Sequence, residues 1–180
     1  MIKRIFYHFF AVLILFLTLV TLFENKNTMI LTMSSNDSHP LNAEIYYAKA
    51  GTSFSAERVI SVDKVTGDQY YFILPDLKEI QYARLDPSRQ KGEISIQKNI
   101  QILVSRWFTT SIYTADITKS TVANQIKNYK IENKGIYFKT TGNDSQLNLN
   151  LTRTFQNSFY SLHLQLLFII SIIYLSLLFL

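Results

Sequence analysis

The chain begins and ends in long apolar runs, and these two runs constrain everything between them. Ile5 to Phe23 is interrupted only by His8, Thr18 and Thr21; Leu162 to Leu180 carries His163 and Gln165 at its start and Ser171, Tyr174 and Ser176 within. About 19 helical residues at 1.5 Å each reach close to the hydrocarbon thickness of a bilayer. A buried core helix would keep a polar face, and the second run is apolar all round. The first run ends Val20-Thr21-Leu22-Phe23-Glu24, without the small residues a signal-peptide cut requires, so it reads as an uncleaved anchor. Lys3 and Arg4 ahead of it place the N-terminus in the cytoplasm and the next segment outside. The sequence thus divides into a transmembrane anchor over 1–24, an extracytoplasmic domain over 25–160 and a second transmembrane helix over 161–180. The chain stops at Leu180 with no charged residue beyond the second run. A span ordinarily ends in interfacial or basic anchors, so the reading favours the start of a longer polytopic protein.

The middle is long enough for one core. From Glu24 to Tyr160 it holds 16 Lys and Arg against 13 Asp and Glu, with the two signs interspersed. No basic cluster of the kind that neutralises a phosphate backbone stands out, which argues against nucleic acid. The absence of cysteine removes disulfides, thiolate metal sites and thiol catalysis.

Within the middle, short alternating runs are separated by turn residues. Met29 to Met33, Ala43 to Ala50, Arg58 to Val65 and Gln69 to Leu74 read as strands. Pro75 cannot donate to a sheet ladder and closes the last of them. Ile80 to Leu85 leads into Arg84-Leu85-Asp86-Pro87 and a polar turn, and Ile94, Ile96, Ile100 and Ile102 follow, a pattern that predicts a β-hairpin with a fixed corner. The stretch from Ile100 to Phe108 carries Trp107 at its end. Ala115 to Lys127 is the one helical candidate, with Asp116 as its cap. Tyr129 and Ile131 precede an Asn133-Lys134-Gly135 turn, and Ile136 to Thr140 follows. After Thr141-Gly142-Asn143-Asp144, the alternation of Leu147, Leu149 and Leu151 with asparagines gives a strand with one buried face. Turn signals at intervals of roughly ten residues predict a mainly β fold, an antiparallel sandwich between the two spans.

Few residues suggest chemistry. Arg84 and Asp86 are two apart and share a side of their strand, so an ion pair bracing the Pro87 corner is expected. The functional alternative is that Asp86 holds Ca²⁺ or a sugar hydroxyl, but a hard cation needs several oxygens. Trp107, beside Phe108, fits core or rim packing, with stacking on a sugar as the alternative. Asp63, Asp68, Asp76 and Glu79 show no spacing that selects the carboxylate pair of a glycosidase. His8, His39 and His163 are dispersed along the proposed topology, which rules out a three-histidine site. No phosphate loop or nucleophile elbow is present. The residues therefore predict no catalytic group, no cofactor and no metal.

Two patches resemble a known family. Phe72-Ile73-Leu74-Pro75, Ala83-Arg84-Leu85-Asp86-Pro87 and Gly92-Glu93-Ile94-Ser95-Ile96 form the first; Thr141-Gly142-Asn143-Asp144 with Leu147 forms the second. Together they resemble the extracytoplasmic β-rich region near the N-terminus of polytopic bacterial membrane proteins of surface-polysaccharide synthesis, glycosyltransferases among them. The likeness spans roughly Ala43 to Leu151 and the first apolar run. Where that family often has Asp-Pro in the second patch, this chain has Asp144-Ser145, and none of the family's catalytic carboxylates can be placed on it. The resemblance implies the bacterial cytoplasmic membrane, with the central domain outside. It also implies a non-catalytic module of surface-polysaccharide assembly whose partners are the lipid bilayer and an envelope glycan or membrane biosynthesis protein. The alternative is a structural protein that docks an envelope protein through its β-domain.

Overall fold

The computed structural model describes residues 26–36, 41–106 and 109–151, with isolated positions 7, 10, 13, 154 and 172. Both expected spans lie outside these residues except at the isolated positions. Among the described residues no helix is long and apolar enough to cross a membrane.

The strands are, in chain order, β1 (Lys26–Ser35), β2 (Glu44–Ala48), β3 (Val59–Ser61), β4 (Lys64–Thr66), β5 (Gln69–Leu74), β6 (Tyr82–Asp86) and β7 (Gly92–Gln97). They continue as β8 (Asn99–Arg106), β9 (Thr109–Asp116), β10 (Thr121–Asn124), β11 (Ile126–Glu132), β12 (Gly135–Thr140) and β13 (Gln146–Leu149). They form two antiparallel sheets, so the mainly β expectation holds. One sheet runs β11-β12-β7-β1-β5-β4, with β8 paired to β1 and β9 to β8, and the other runs β10-β13-β6-β2-β3.

β1 organises the first sheet. Its Met29, Leu31 and Met33 alternate inward and are fully buried. β5 lies along one edge, and β8 and then β7 lie along the other. The sheet forks at Lys98, between β7 and β8. The Lys98 amide donates to the Lys134 carbonyl at 2.8 Å, and its own carbonyl accepts from Ile117 N at 2.9 Å. Beyond β7 the sheet continues through β12 and β11, and beyond β8 it ends at β9. In the second sheet Ile45, Leu85 and Leu147 stand opposite one another in one row. Their side chains join Met29, Phe72, Ile96, Ile102 and Ile136 of the first sheet in a single core. Burial of this apolar area is the main driving term for the fold.

Two expectations need correction. Ile80 to Ile102 is not a hairpin: β6 pairs with β2 and β13, whereas β7 pairs with β1 and β12. Residues 87–91 carry the chain from one sheet to the other. Pro87 has no N–H to give a ladder, and the segment is held instead from a second crossover. Ser145 Oγ donates to the Ser88 carbonyl at 2.9 Å, and buried Thr140 Oγ1 donates to the Gln90 carbonyl at 2.7 Å. Nor is Ala115 to Lys127 a helix. It closes β9, makes one 3₁₀ turn at Ile117–Lys119 and then enters β10 and β11. Asp116 does cap that turn, accepting from Thr118 N at 2.9 Å. Thr121 and Val122 are β-branched and find a strand partner in β13. A single residue, Gln125 with φ 45°, then turns the chain from one sheet to the other.

The registers fix where the chain enters and leaves. β1 starts at Lys26 opposite Ser105, with Asn27 opposite Leu74. The chain passes from Leu74 through a 3₁₀ turn at Leu77–Glu79 to the start of β6 at Tyr82. β13 runs back down β6 with Leu149 opposite Ala83, so Leu151 emerges beside that start. Lys26 and Leu151 therefore lie at the same end of the two-sheet body. The side chain of Asn27, buried there, donates to the Pro75 carbonyl at 3.2 Å.

Candidate functional site

Arg84 and Asp86 do pair. β6 alternates so that Ala83 and Leu85 enter the core and Arg84 and Asp86 face outward. Arg84 Nε donates to Asp86 Oδ1 and Nη2 to Oδ2, both at 2.8 Å, a two-pronged ion pair. The guanidinium lies 4.4 Å from the Tyr46 ring centroid and 5.3 Å from that of Phe54. Tyr46 is placed by the register, since it stands opposite Arg84 on β2. Phe54 comes from the 49–58 loop. The charged heads are consequently largely covered, with Arg84 17% and Asp86 15% exposed.

Around this pair the outer face continues as a polar network. Glu44, opposite Asp86, accepts from Arg89 Nη2 at 2.7 Å and from the Tyr46 hydroxyl at 3.2 Å. Asp144 accepts from Asn124 Nδ2 at 2.9 Å and from Gln146 Nε2 at 2.6 Å. Burial pushes the Asp86 carboxyl above its ordinary range although Arg84 pulls it down, and the charges of Asp144 and Glu44 add to the rise. Burial, with the Glu44 carboxylate, also raises the Tyr46 phenol.

The cluster is internally satisfied. Both carboxylate oxygens of Asp86 are taken by Arg84, which leaves no vacant oxygen set for a cation. Among the described residues no group of three His, Cys, Asp or Glu could hold a metal ion. Glu44 and Arg89 border a cleft of about 490 Å³ that Asn42, Ser61, Asp63 and Lys64 also line. Its wall offers donors and acceptors of both charges but no nucleophile hydrogen-bonded to a base, so it suits the binding of a polar ligand. Sequence reasoning brought Arg84 and Asp86 together and missed Tyr46, Phe54 and Glu44. Tyr46 and Glu44 join only through the β2–β6 register, and Phe54 through a loop, so nothing local announces them. Trp107 lies outside the described residues.

The segment from 145 to 147 meets the 85–88 corner at this place: Leu147 pairs with Leu85, and Ser145 holds the Ser88 carbonyl. Compared with known protein families, with curated proteins and with solved structures, the chain matches none.

Proposed function

We propose that this chain is a membrane-anchored envelope module of bacterial surface-polysaccharide assembly. Its two-sheet body stands outside the cytoplasm between spans at 1–24 and 161–180, and it carries no reaction of its own. The observation that supports this most is the shared end of the body. An apolar run leads into β1 just ahead of Lys26, and another follows Leu151, so both can return to one bilayer without crossing the domain. The outer face of the second sheet supplies the polar groups and half-buried aromatic rings that would meet a glycan, arranged for binding and not for bond cleavage.

Because the chain has no cysteine, a single Asn36→Cys change gives a clean topological probe. In intact cells a membrane-impermeant maleimide should label it without lysis, and labelling only after lysis would refute the external placement. The purified protein in detergent should then retain envelope polysaccharide, and Arg89→Ala with Asn42→Ala should weaken that retention. If no envelope sugar binds while a specific protein co-purifies, the glycan role is wrong and the docking alternative takes its place.

A further inference from the structure

The outer face of the first sheet differs in kind from that of the second. Cross-strand registers align Ile73 of β5, Thr28 of β1, Leu103 of β8 and Ile112 of β9 in one row. Ile73 is 45% and Ile112 65% exposed, and Leu103 lies half-buried between them. The next row, Lys64, Tyr71, Ile30, Gln101 and Thr114, presents a cation and a tyrosine, with Ile30 itself covered by its neighbours. Lys64 Nζ lies 6.0 Å from the Tyr71 ring centroid. Neither row contains a carboxylate. The equivalent face of the other sheet is built around Glu44, Arg84 and Asp86 and would be costly to bring against lipid. Aliphatic side chains beside tyrosine and lysine are the composition that settles at a bilayer interface.

Position completes the argument. Thr28 belongs to the apolar row and lies five positions after Phe23, the last apolar residue of the N-terminal run. Extended chain advances at most about 3.5 Å per residue, so Thr28 lies no more than about 18 Å from the end of that run, with Ile112 two strands, or roughly 10 Å, further across the sheet. We propose that the β5-β1-β8-β9 face lies on the outer leaflet, with Ile73, Leu103 and Ile112 at the boundary between headgroups and acyl chains. The body then leans on the membrane by this face and turns the Arg84–Asp86 face away from it. This inference rests on the membrane anchoring proposed above, and the experiment separates the two.

Single Ile112→Cys, Ile131→Cys and Leu13→Cys variants of the full chain are labelled with an environment-sensitive fluorophore. They are reconstituted into vesicles of phosphatidylethanolamine and phosphatidylglycerol, with or without nitroxide-bearing lipid. Ile131 is a matched control, because it is 57% exposed on β11 but five positions further along the β1 register, through the row that contains Met33. Quenching at 112 should exceed that at 131 about threefold, as expected for a side chain at interfacial depth. Quenching at 13 with equal values at 112 and 131 overturns the leaning face and leaves the anchor intact. A fluorophore at 112 that is shielded from water yet unquenched also overturns it, since protein then covers the face. No quenching at 13 removes the anchor and the inference together.

Discussion

The guanidinium of Arg84 meets a carboxylate and two aromatic rings at once, so several contacts of the second sheet depend on one side chain. Removing it would strand a covered carboxylate. Arg84→Ala should destabilise the protein by about 3 kcal/mol, because breaking a buried pair leaves one charge uncompensated. Arg84→Met with Asp86→Leu should cost far less, because both charges go together. Thermal melts of the full chain in detergent would decide this, and equal losses in the single and double variants would refute the account. The same melts test the protonation of Asp86. Its carboxyl is raised in the folded state, so it binds its proton more tightly there than in the unfolded chain. That contribution is full below the ordinary carboxylate range and is lost as pH rises through the raised value. Asp86→Asn, which does not titrate, should therefore gain on the parent as pH climbs through that window. Asp116 has the opposite sign: the Thr118 hydroxyl, with its amide, holds its carboxyl below the ordinary range. Its contribution is present above the unfolded value and is lost as pH falls through the folded one, so the deficit of Asp116→Asn should shrink in acid.

At the scale of the element, the pairing of β12 with β7 depends on close approach. A side chain on Gly135 would run into the Ile96 carbonyl oxygen, and the Ile96 carbonyl carbon would lie only 2.9 Å from the new Cβ. These are backbone atoms of the neighbouring strand, which cannot rotate away. Gly135→Ala should therefore cost roughly 2 kcal/mol or more and loosen the fork at Lys98, where the neighbouring Lys134 carbonyl accepts the Lys98 amide. Amide exchange in β11 and β12 should quicken ahead of exchange in β5, and uniform exchange across the first sheet would refute a local effect. The same fork shows what the sequence could reveal. Alternation such as Leu147, Asn148, Leu149 marks a strand wherever one face is buried, and these strands were legible. So was the Arg84–Asp86 pair, since spacing along one strand suffices to place both on one side. Which strands become neighbours was not legible, because β6 and β7 read as a hairpin until Ser145 and Thr140 are known to hold the segment between them. The segment from 115 to 127 misled for another reason. Its Ile117, Val122 and Ile126 match helical spacing loosely, whereas Thr121 and Val122 prefer a strand, and the partner supplied by β13 decides between them.

For the whole molecule, the shared end of Lys26 and Leu151 makes the body separable from the apolar runs on either side of it in the sequence. The described core draws on both sheets, from Met29 in β1 to Leu151 beyond β13, and closes over itself between them. A chain of this size can bury enough apolar area to fold without disulfides. Residues 25–154 expressed alone should retain the two sheets and unfold in one cooperative transition, monitored by circular dichroism and urea titration. The excised body would still expose Ile73 and Ile112, so it should also tend to self-associate, and Ile73→Lys with Ile112→Lys should reduce that tendency without lowering the urea midpoint. Both positions are substantially exposed, and charge there removes little burial from the core. A loss of unfolding free energy of more than about 1 kcal/mol would mean that the row carries the fold and not a surface, because exposed substitutions ordinarily stay within about half that value.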